Sequence, residues 1–487
     1  MLTFNKARDL FFRFKTQRGK GKLKGFIDFQ KLHDYYIGEH AITEKKQRPN
    51  GRKTYRTVSN YPQYVSTIST GFFIGSPVTY TTPNKEQLEP ALDIIDDNDG
   101  QTVDYDNALD MSIYGKAYRL FFHDEDGELN FKDLDPRYTI VVTDGKIKPK
   151  VTDVIYFSEA LTANNTIKVT MTIYDSIHQR EYEFDYKTIE ADRTKADITE
   201  MITPTSEGEL ILHQITDEDG KPKVPVLVIP NNKFELGDYE PHLSLIDAYN
   251  DMDSNDFEDA ADFTDAILKL VNMSETSPED VNHLNEDKVL LLDEDGDADW
   301  LIKKVDSAFK KDMKERLENN IHKYTFVPNM NDKAFGGNLT GVAIKYKLLA
   351  LEQVRGQKER MFHKALTDQL AIIKGYLAKF PKGAANFELK DVKLQFTPNL
   401  PPNFMEEAEL VTKLRAAGLP DKFIYSYLSN VQDVEHLIEM KKEEEQERYE
   451  NEYSFSGETD NLEEQETKST DQDGERNTPP ANNKGAA

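Results

Sequence analysis

The chain has 487 residues, enough for two to four domains. It contains no cysteine, which excludes disulfides, thiolate metal sites and cysteine nucleophiles and suits assembly in a reducing cytoplasm. Its 88 acidic residues against 61 basic ones leave a formal net charge of −27, so its surface as a whole is not built to hold nucleic acid tightly, although acidic walls can guide DNA without adhesion.

The N-terminus lacks a long apolar core with a cleavage site, so it does not read as a secretory signal, and no apolar run is long enough for a bilayer span. Residues 1–25 are basic, with Lys6, Arg8, Arg13, Lys15, Arg18, Lys20, Lys22 and Lys24 among aromatics, and are expected to be a flexible or partner-bound arm. From about Asp28 to Asp97 the pattern is mainly helical, with an apolar stripe of Tyr64, Ile68, Phe72 and Phe73. Between Tyr118 and Ile229 it alternates and is rich in β-branched and aromatic residues, as strands are, with Asp-Gly turns at Asp126–Gly127 and Asp219–Gly220. An α+β body is predicted.

A second helical block follows Pro241, with Leu245, Tyr249, Met252, Phe257, Ala260, Phe263, Ile267 and Leu270 on one face. Asp247, Asp251, Asp253, Asp256, Glu258, Asp259, Asp262 and Asp265 crowd the remainder, either as a solvated face or, if copies stood around a channel, as a ring of negative charge. Residues 274–306 form a small unit in which KVLLLDEDGDADWLIKKVD reads as two strands about an acidic turn and holds the sole tryptophan, Trp300. The segment 307–325 is amphipathic and helical. A Gly/Asn/Asp loop with Gly336 and Gly337 at its bend then runs into a helix of about forty residues, capped by Asn338 or Thr340 and patterned by Ile344, Leu348, Leu351, Phe362, Leu366, Leu370, Ile373 and Leu377. After Pro381, FELKDVKLQFTP reads as one or two strands completing a sheet with the earlier body. Residues 405–449 are helical with a break near Gly418–Pro420, and the acidic residues from 450 onward cannot bury enough apolar surface to order.

Signatures of catalysis are missing. The chain has no G-x-x-x-x-G-K-[ST], H-E-x-x-H or G-x-S-x-G. DEDGDAD at Asp293–Asp299 opens like a calcium loop, but its glycine is misplaced and Lys304 stands where the closing glutamate belongs, so a hairpin turn is expected. No cofactor or metal is predicted, and the chain does not read as an enzyme.

Five segments in order resemble one family. They are NYPQYVSTISTGFFIGSPVTY (Asn60–Tyr80), DMSIYGKAYRLFF (Asp110–Phe122), GDYEPHLSLIDAYNDMDSNDFEDAADFTDAIL (Gly237–Leu268), PNMNDKAFGGNLTGVAIKYKLLALEQ (Pro328–Gln353) and the acidic tail after Lys441. Together they are similar to portal proteins of tailed bacteriophages, of the type found in siphophages of Gram-positive hosts. The resemblance implies a basic arm (1–25), a mixed α/β wing (26–240), a stem helix (241–273), a clip (274–306), a second stem helix (307–328), a tunnel loop (329–340), a wing spine helix with returning strands (341–404), a helical crown (405–449) and a disordered acidic tail (450–487). It further implies a ring, usually of twelve copies, through which double-stranded DNA is packaged and ejected. The implied partners are the terminase large subunit, scaffolding and major capsid proteins and a head–tail adaptor. The implied location is the virion vertex, after assembly in the host cytoplasm, with no membrane involved.

By the same resemblance, Asn329, Asn331, Lys333, Phe335, Gly336, Gly337 and Asn338 contact DNA. Lys333 is the sole cation of that loop, so it can touch phosphate without binding it tightly. Asp251, Asp256, Asp259, Lys310 and Lys314 are candidates to face the channel from the stem, and Asp295, Asp297 and Trp300 to contact partners from the clip. The alternatives are another structural head or head–tail component, or a DNA-processing packaging enzyme.

Overall fold

The computed structural model describes residues 1–19, 21–49, 52–162, 166–187, 202–264, 267–271, 297–301, 307–331, 341–380, 387–399, 404–428, 431, 434 and 436–448. The chain divides into two units, residues 1–400 and 401–487.

The basic N-terminal segment departs from the sequence expectation. Phe4–Thr16 forms helix α1, and its Phe4, Ala7 and Phe11 recur at helical spacing and are buried. An exposed face of that size would forfeit apolar burial, so it packs as a core element rather than remaining a free arm. Lys15 lies 3.3 Å from the centre of the Phe26 ring and bonds Glu159 at 2.7 Å. Lys24, also expected in the arm, is buried, with its ammonium bonded to Glu240 (2.6 Å) and to the carbonyls of Tyr114 and Glu235.

Helices α2 (Phe26–Ile37), α3 (Tyr61–Ile74), α4 (Lys85–Asp97) and α5 (Gly100–Tyr114) follow, with short strand β1 (Thr79–Thr81) between α3 and α4. Asn60 caps α3 by accepting from the Gln63 amide. Gly115 ends α5 at φ +83°, and a Cβ there would lie 2.2 Å from the Glu235 carbonyl, so the turn into the next strand requires glycine.

Strands β2 (Lys116–His123), β3 (Leu129–Leu134), β4 (Thr139–Thr143), β5 (Val151–Leu161), β6 (Thr166–Tyr174), β7 (His178–Lys187), β8 (Ser206–Glu207), β9 (Ile211–Leu212) and β10 (Val226–Pro230) realise the predicted β body. They make two antiparallel sheets. One has the order β10-β2-β3, and the other runs β4-β5-β6-β7-β8 with β9 also on β7. Gly127 and Gly220 take positive φ, as the Asp-Gly turns require. The buried face of the larger sheet, with Phe157, Val169, Met171 and Phe184, receives α1.

The acidic block is helix α6, Leu243–Thr264. It is shorter than expected, because Ile267–Val271 leaves the helix as strand β11 and pairs antiparallel with β12, Asp297–Leu301. Among the described residues the Trp300 strand pairs with β11, and the preceding KVLLL run lies outside them. Helix α7 spans Ser307–Thr325.

The long helix is nearly as read. Helix α8 (Gly341–Lys347) and helix α9 (Leu349–Leu377) are separated by a single turn residue, Leu348, across which Leu348 N–H donates to Ile344 O and Glu352 N–H to Leu348 O. The caps expected at Asn338 and Thr340 lie outside the described residues. Strand β13 (Lys393–Gln395) pairs with β1, so the returning strand does join the earlier body. In the second unit, helix α10 (Phe404–Ala416) ends at Gly418 (φ +73°), helix α11 covers Asp421–Tyr425, and residues 436–448 are helical.

The spine helix α9 is tied into the body by charge as well as by packing. Lys358 bonds Asp238 at 2.5 Å, and both side chains are almost wholly enclosed. The same carboxylate accepts from Ser112 of α5 (2.6 Å) and Asn231 (2.8 Å), and the Ser112 hydroxyl lies 2.9 Å from that of Ser66 on α3. Burial alone would raise the Asp238 pKa, but Lys358 and the two neutral donors outweigh it and the pKa is lowered. A second tie runs from Arg119 on β2 to Asp104 (2.6 Å) and Asn107 (2.8 Å) of α5 and to Gln369 of α9. Substituting Lys358→Ala leaves a buried carboxylate without its cation and should cost about 3–5 kcal/mol. Urea unfolding of the variant checks this, and a loss below about 1 kcal/mol would contradict a buried pair.

Candidate functional site

The helix pair α6–α7 and the chain that leaves it carry most of the predicted site residues. Helix α6 bears Asp247, Asp251, Asp253, Asp256, Glu258, Asp259 and Asp262 and no Lys or Arg of its own. Cations reach it from two sides. From α7, Lys310 pairs with Asp256 (2.8 Å) and Asp259 (2.5 Å), and Lys314 pairs with Asp253. Burial works against both charged lysines, yet the carboxylates outweigh it and both pKa values are raised. On the opposite side, Lys45 meets Glu258 (2.8 Å) and Arg48 meets Asp262 (2.5 Å). The bond to Arg48 holds the Asp262 carboxyl below its ordinary value.

That second side is a ladder between an extended segment and a helix. The amides of Ser59, Thr57 and Tyr55 donate to Asn250 Oδ1 (2.9 Å), Ser254 Oγ (3.0 Å) and Glu258 Oε1 (3.2 Å). Two extended residues advance about 6.6 Å and four helical residues about 6 Å, so amides on alternate residues keep pace with acceptors one helical turn apart. The i, i+4 run of Asn250, Ser254, Glu258 and Asp262 is the sequence signal for this ladder, and the sequence reading missed it.

His40 completes the top of the ladder. Its ring stacks on Tyr35 (centroids 4.7 Å), Nε2 donates to the Tyr35 carbonyl (2.9 Å), and Nδ1 lies 2.7 Å from Asn250 Nδ2. Because Asn250 Oδ1 is occupied by Ser59 N–H, the amide must present its NH₂ to the ring, and His40 must accept there as a neutral imidazole. Burial lowers its pKa, opposed by its bonds and by nearby Asp247, which itself accepts from Tyr35 (2.7 Å).

Of the five stem candidates, Asp256, Asp259, Lys310 and Lys314 are thus brought together within one chain as pairs. Asp251 alone of the five is exposed. It shares the open stripe of α6 with Ser244, Ala248 and Asn255, so that stripe carries little charge. The continuous negative face expected from composition is largely neutralised inside the chain.

Past α7 the chain turns through Phe326 at φ +62°. His322 Nδ1 donates to Val327 O (2.9 Å), Tyr64 O–H donates to Pro328 O (2.8 Å), Asn329 Nδ2 donates to Glu318 Oε1 (2.9 Å), and Met330 N–H donates to Tyr64 Oη (2.9 Å). Asn331 N–H closes onto Asn329 Oδ1 at 3.0 Å. A cavity of about 280 Å³ opens between this segment, α3 and α7, lined in part by Asn60, Tyr61, Glu318 and Asn331. Asn329 and Asn331 therefore stand at the root of the predicted loop. Lys333, Phe335, Gly336, Gly337, Asn338 and Asp295 lie outside the described residues. Asp297 is exposed opposite Val271, and Trp300 sits opposite Leu268 in the β11–β12 ladder. Among the described residues no group of three or more His, Asp or Glu side chains could hold a metal ion.

A family model described as phage portal protein, SPP1 Gp6-like, matches residues 21–452. The chain belongs to the phage portal family. It is 25% identical over 404 residues to the portal protein of Bacillus phage SPP1, covering 80% of this chain and 77% of that relative. As a portal-family protein it is a structural virion component rather than an enzyme. No helix among the described residues is long and apolar enough to cross a membrane. Three of the family segments converge in space: Ser66, Ser112 and Asp238 meet Lys358 of α9 at one buried node.

The buried histidines, with His40 at the head of the ladder, contribute a pH dependence to this chain's stability. His40 has a lowered folded pKa, as have His33, His123, His213 and His242, all with burial as the largest cause. The unfolded chain then binds more protons, so stability is fully present above the unfolded value of about 6.5 and is lost as pH falls below it. Urea midpoints should drop between pH 7.5 and 5.5, with a smaller drop in His40→Gln. An equal drop in the variant would show that His40 does not contribute.

Proposed function

We propose that copies of this chain close head to tail into a ring, usually of twelve, at the one special vertex of a tailed-phage capsid. Double-stranded DNA passes through its channel, driven inward by the terminase and released through the same opening at infection. The ring nucleates procapsid assembly with scaffolding and major capsid proteins, and a head–tail adaptor later takes the place of the terminase. The family match over residues 21–452 is the observation that carries this reading, because it spans the helix pair, the loop root and the spine.

Within that ring, α6 and α7 are the stem, and the region 274–306 is the clip that meets terminase and adaptor, with Asp295, Asp297 and Trp300 at its contact face. Asp251 faces the channel. Asp256, Asp259, Lys310 and Lys314 clamp the two stem helices to one another. The segment 329–340 projects inward and touches DNA through Lys333 and its Asn and Gly neighbours. One cation per copy attracts phosphate weakly, and twelve copies repeat the contact without immobilising the duplex.

Shortening 329–340, or substituting Lys333→Ala, should leave ring formation and ring symmetry unchanged. Either change should lower DNase-protected DNA per head severalfold in a complementation assay. Normal packaging by both variants would remove the channel role assigned to the segment.

A further inference from the structure

The root of the 329–340 segment is held by an unusual density of bonds from three side chains. Four consecutive residues are each tied once: Val327 by His322, Pro328 by Tyr64, Asn329 by Glu318 and Met330 by Tyr64 again. Two of these anchors stand on α7, the element that leads into the segment. Tyr64 stands on α3, 264 positions before Pro328, and is the tie to the wing.

The Tyr64 hydroxyl has one hydrogen to give and lone pairs to accept with. It donates to the Pro328 carbonyl at 2.8 Å and accepts from the Met330 amide at 2.9 Å, so a single atom closes the backbone around itself. Its ring is fixed edge-on to His322, with centroids 5.6 Å apart. Packing anchors Val327 in the core but does not reach Met330 and Asn331, which are exposed beside a cavity. Direction here is set by hydrogen bonds.

We propose that Tyr64 is a positioning residue for DNA contact. Its hydroxyl fixes the line along which the chain leaves α7, so every copy in a ring presents Asn329 and Asn331 at the same depth. This rests on the reading that residues 329–340 meet DNA in the channel.

The test compares full-length wild type, Tyr64→Phe and the shortened-loop variant by ring imaging, amide hydrogen exchange and DNase-protected DNA per head. Tyr64→Phe keeps the ring and the hydrophobic body of the side chain while losing both bonds. Exchange at the Met330 amide should quicken at least tenfold with α3 and α9 unchanged, ring symmetry should be retained, and packaged DNA should fall severalfold. Normal packaging by Tyr64→Phe, beside a packaging defect in the shortened loop, would overturn this inference and leave the channel reading intact. Normal packaging by the shortened loop would sink the channel reading and this inference with it. Loss of ring assembly, or faster exchange throughout α3 and α9, would make Tyr64 a structural residue and overturn the positioning role. A packaging defect without faster exchange at the Met330 amide would overturn it as well.

Discussion

A carboxylate buried without a cation is among the costliest groups a fold can carry, and Asp238 is enclosed by the body of this protein. Its charge is sustained by Lys358 from the spine helix, Ser112 from α5 and Asn231 from the loop before it. Each donor comes from a different element, so the node forms only when α9, α5 and the chain leading into α6 are all in place. Such a node adds little net stability over a well-packed apolar alternative. What it contributes is register: a helix of 29 residues could slide by a turn along an apolar surface, but Lys358 has one carboxylate to meet. Arg119, bonded to Asp104, Asn107 and Gln369, applies the same restraint further along the spine.

The α6–α7 pair follows the same logic in a more solvated setting. Seven carboxylates on α6 would repel one another, and the fold answers with lysines from α7 and a basic extended segment on the other flank. Helix α6, with most of its carboxylates paired inside the chain, leaves an open stripe on which Asp251 is the carboxylate, rather than a dense acidic wall.

Much of this was legible in the sequence because periodicity and turn chemistry report directly on burial. The spine appeared in Phe362, Leu366, Leu370, Ile373 and Leu377, all of which are buried, and the hairpin turns appeared in Gly127 and Gly220. The family segments were legible as strings, but not the reason they hang together. Ser66, Ser112, Asp238 and Lys358 are ordinary polar residues until the fold brings them within bonding distance. Charge misled twice. The basic residues of the first segment hid the Phe4, Ala7 and Phe11 face that packs it, and the acidic run on α6 concealed its own neutralisation by residues far away in the chain. Ile267 and Leu270 fit a helical stripe equally well, and cross-strand pairing with 297–301 decided for strand.

Closure of identical copies around a channel is addressed most directly by electron microscopy of the purified protein. Particles with a single rotational symmetry and a central opening wide enough for duplex DNA are the predicted result. A compact monomer or dimer under every salt condition tried would contradict it.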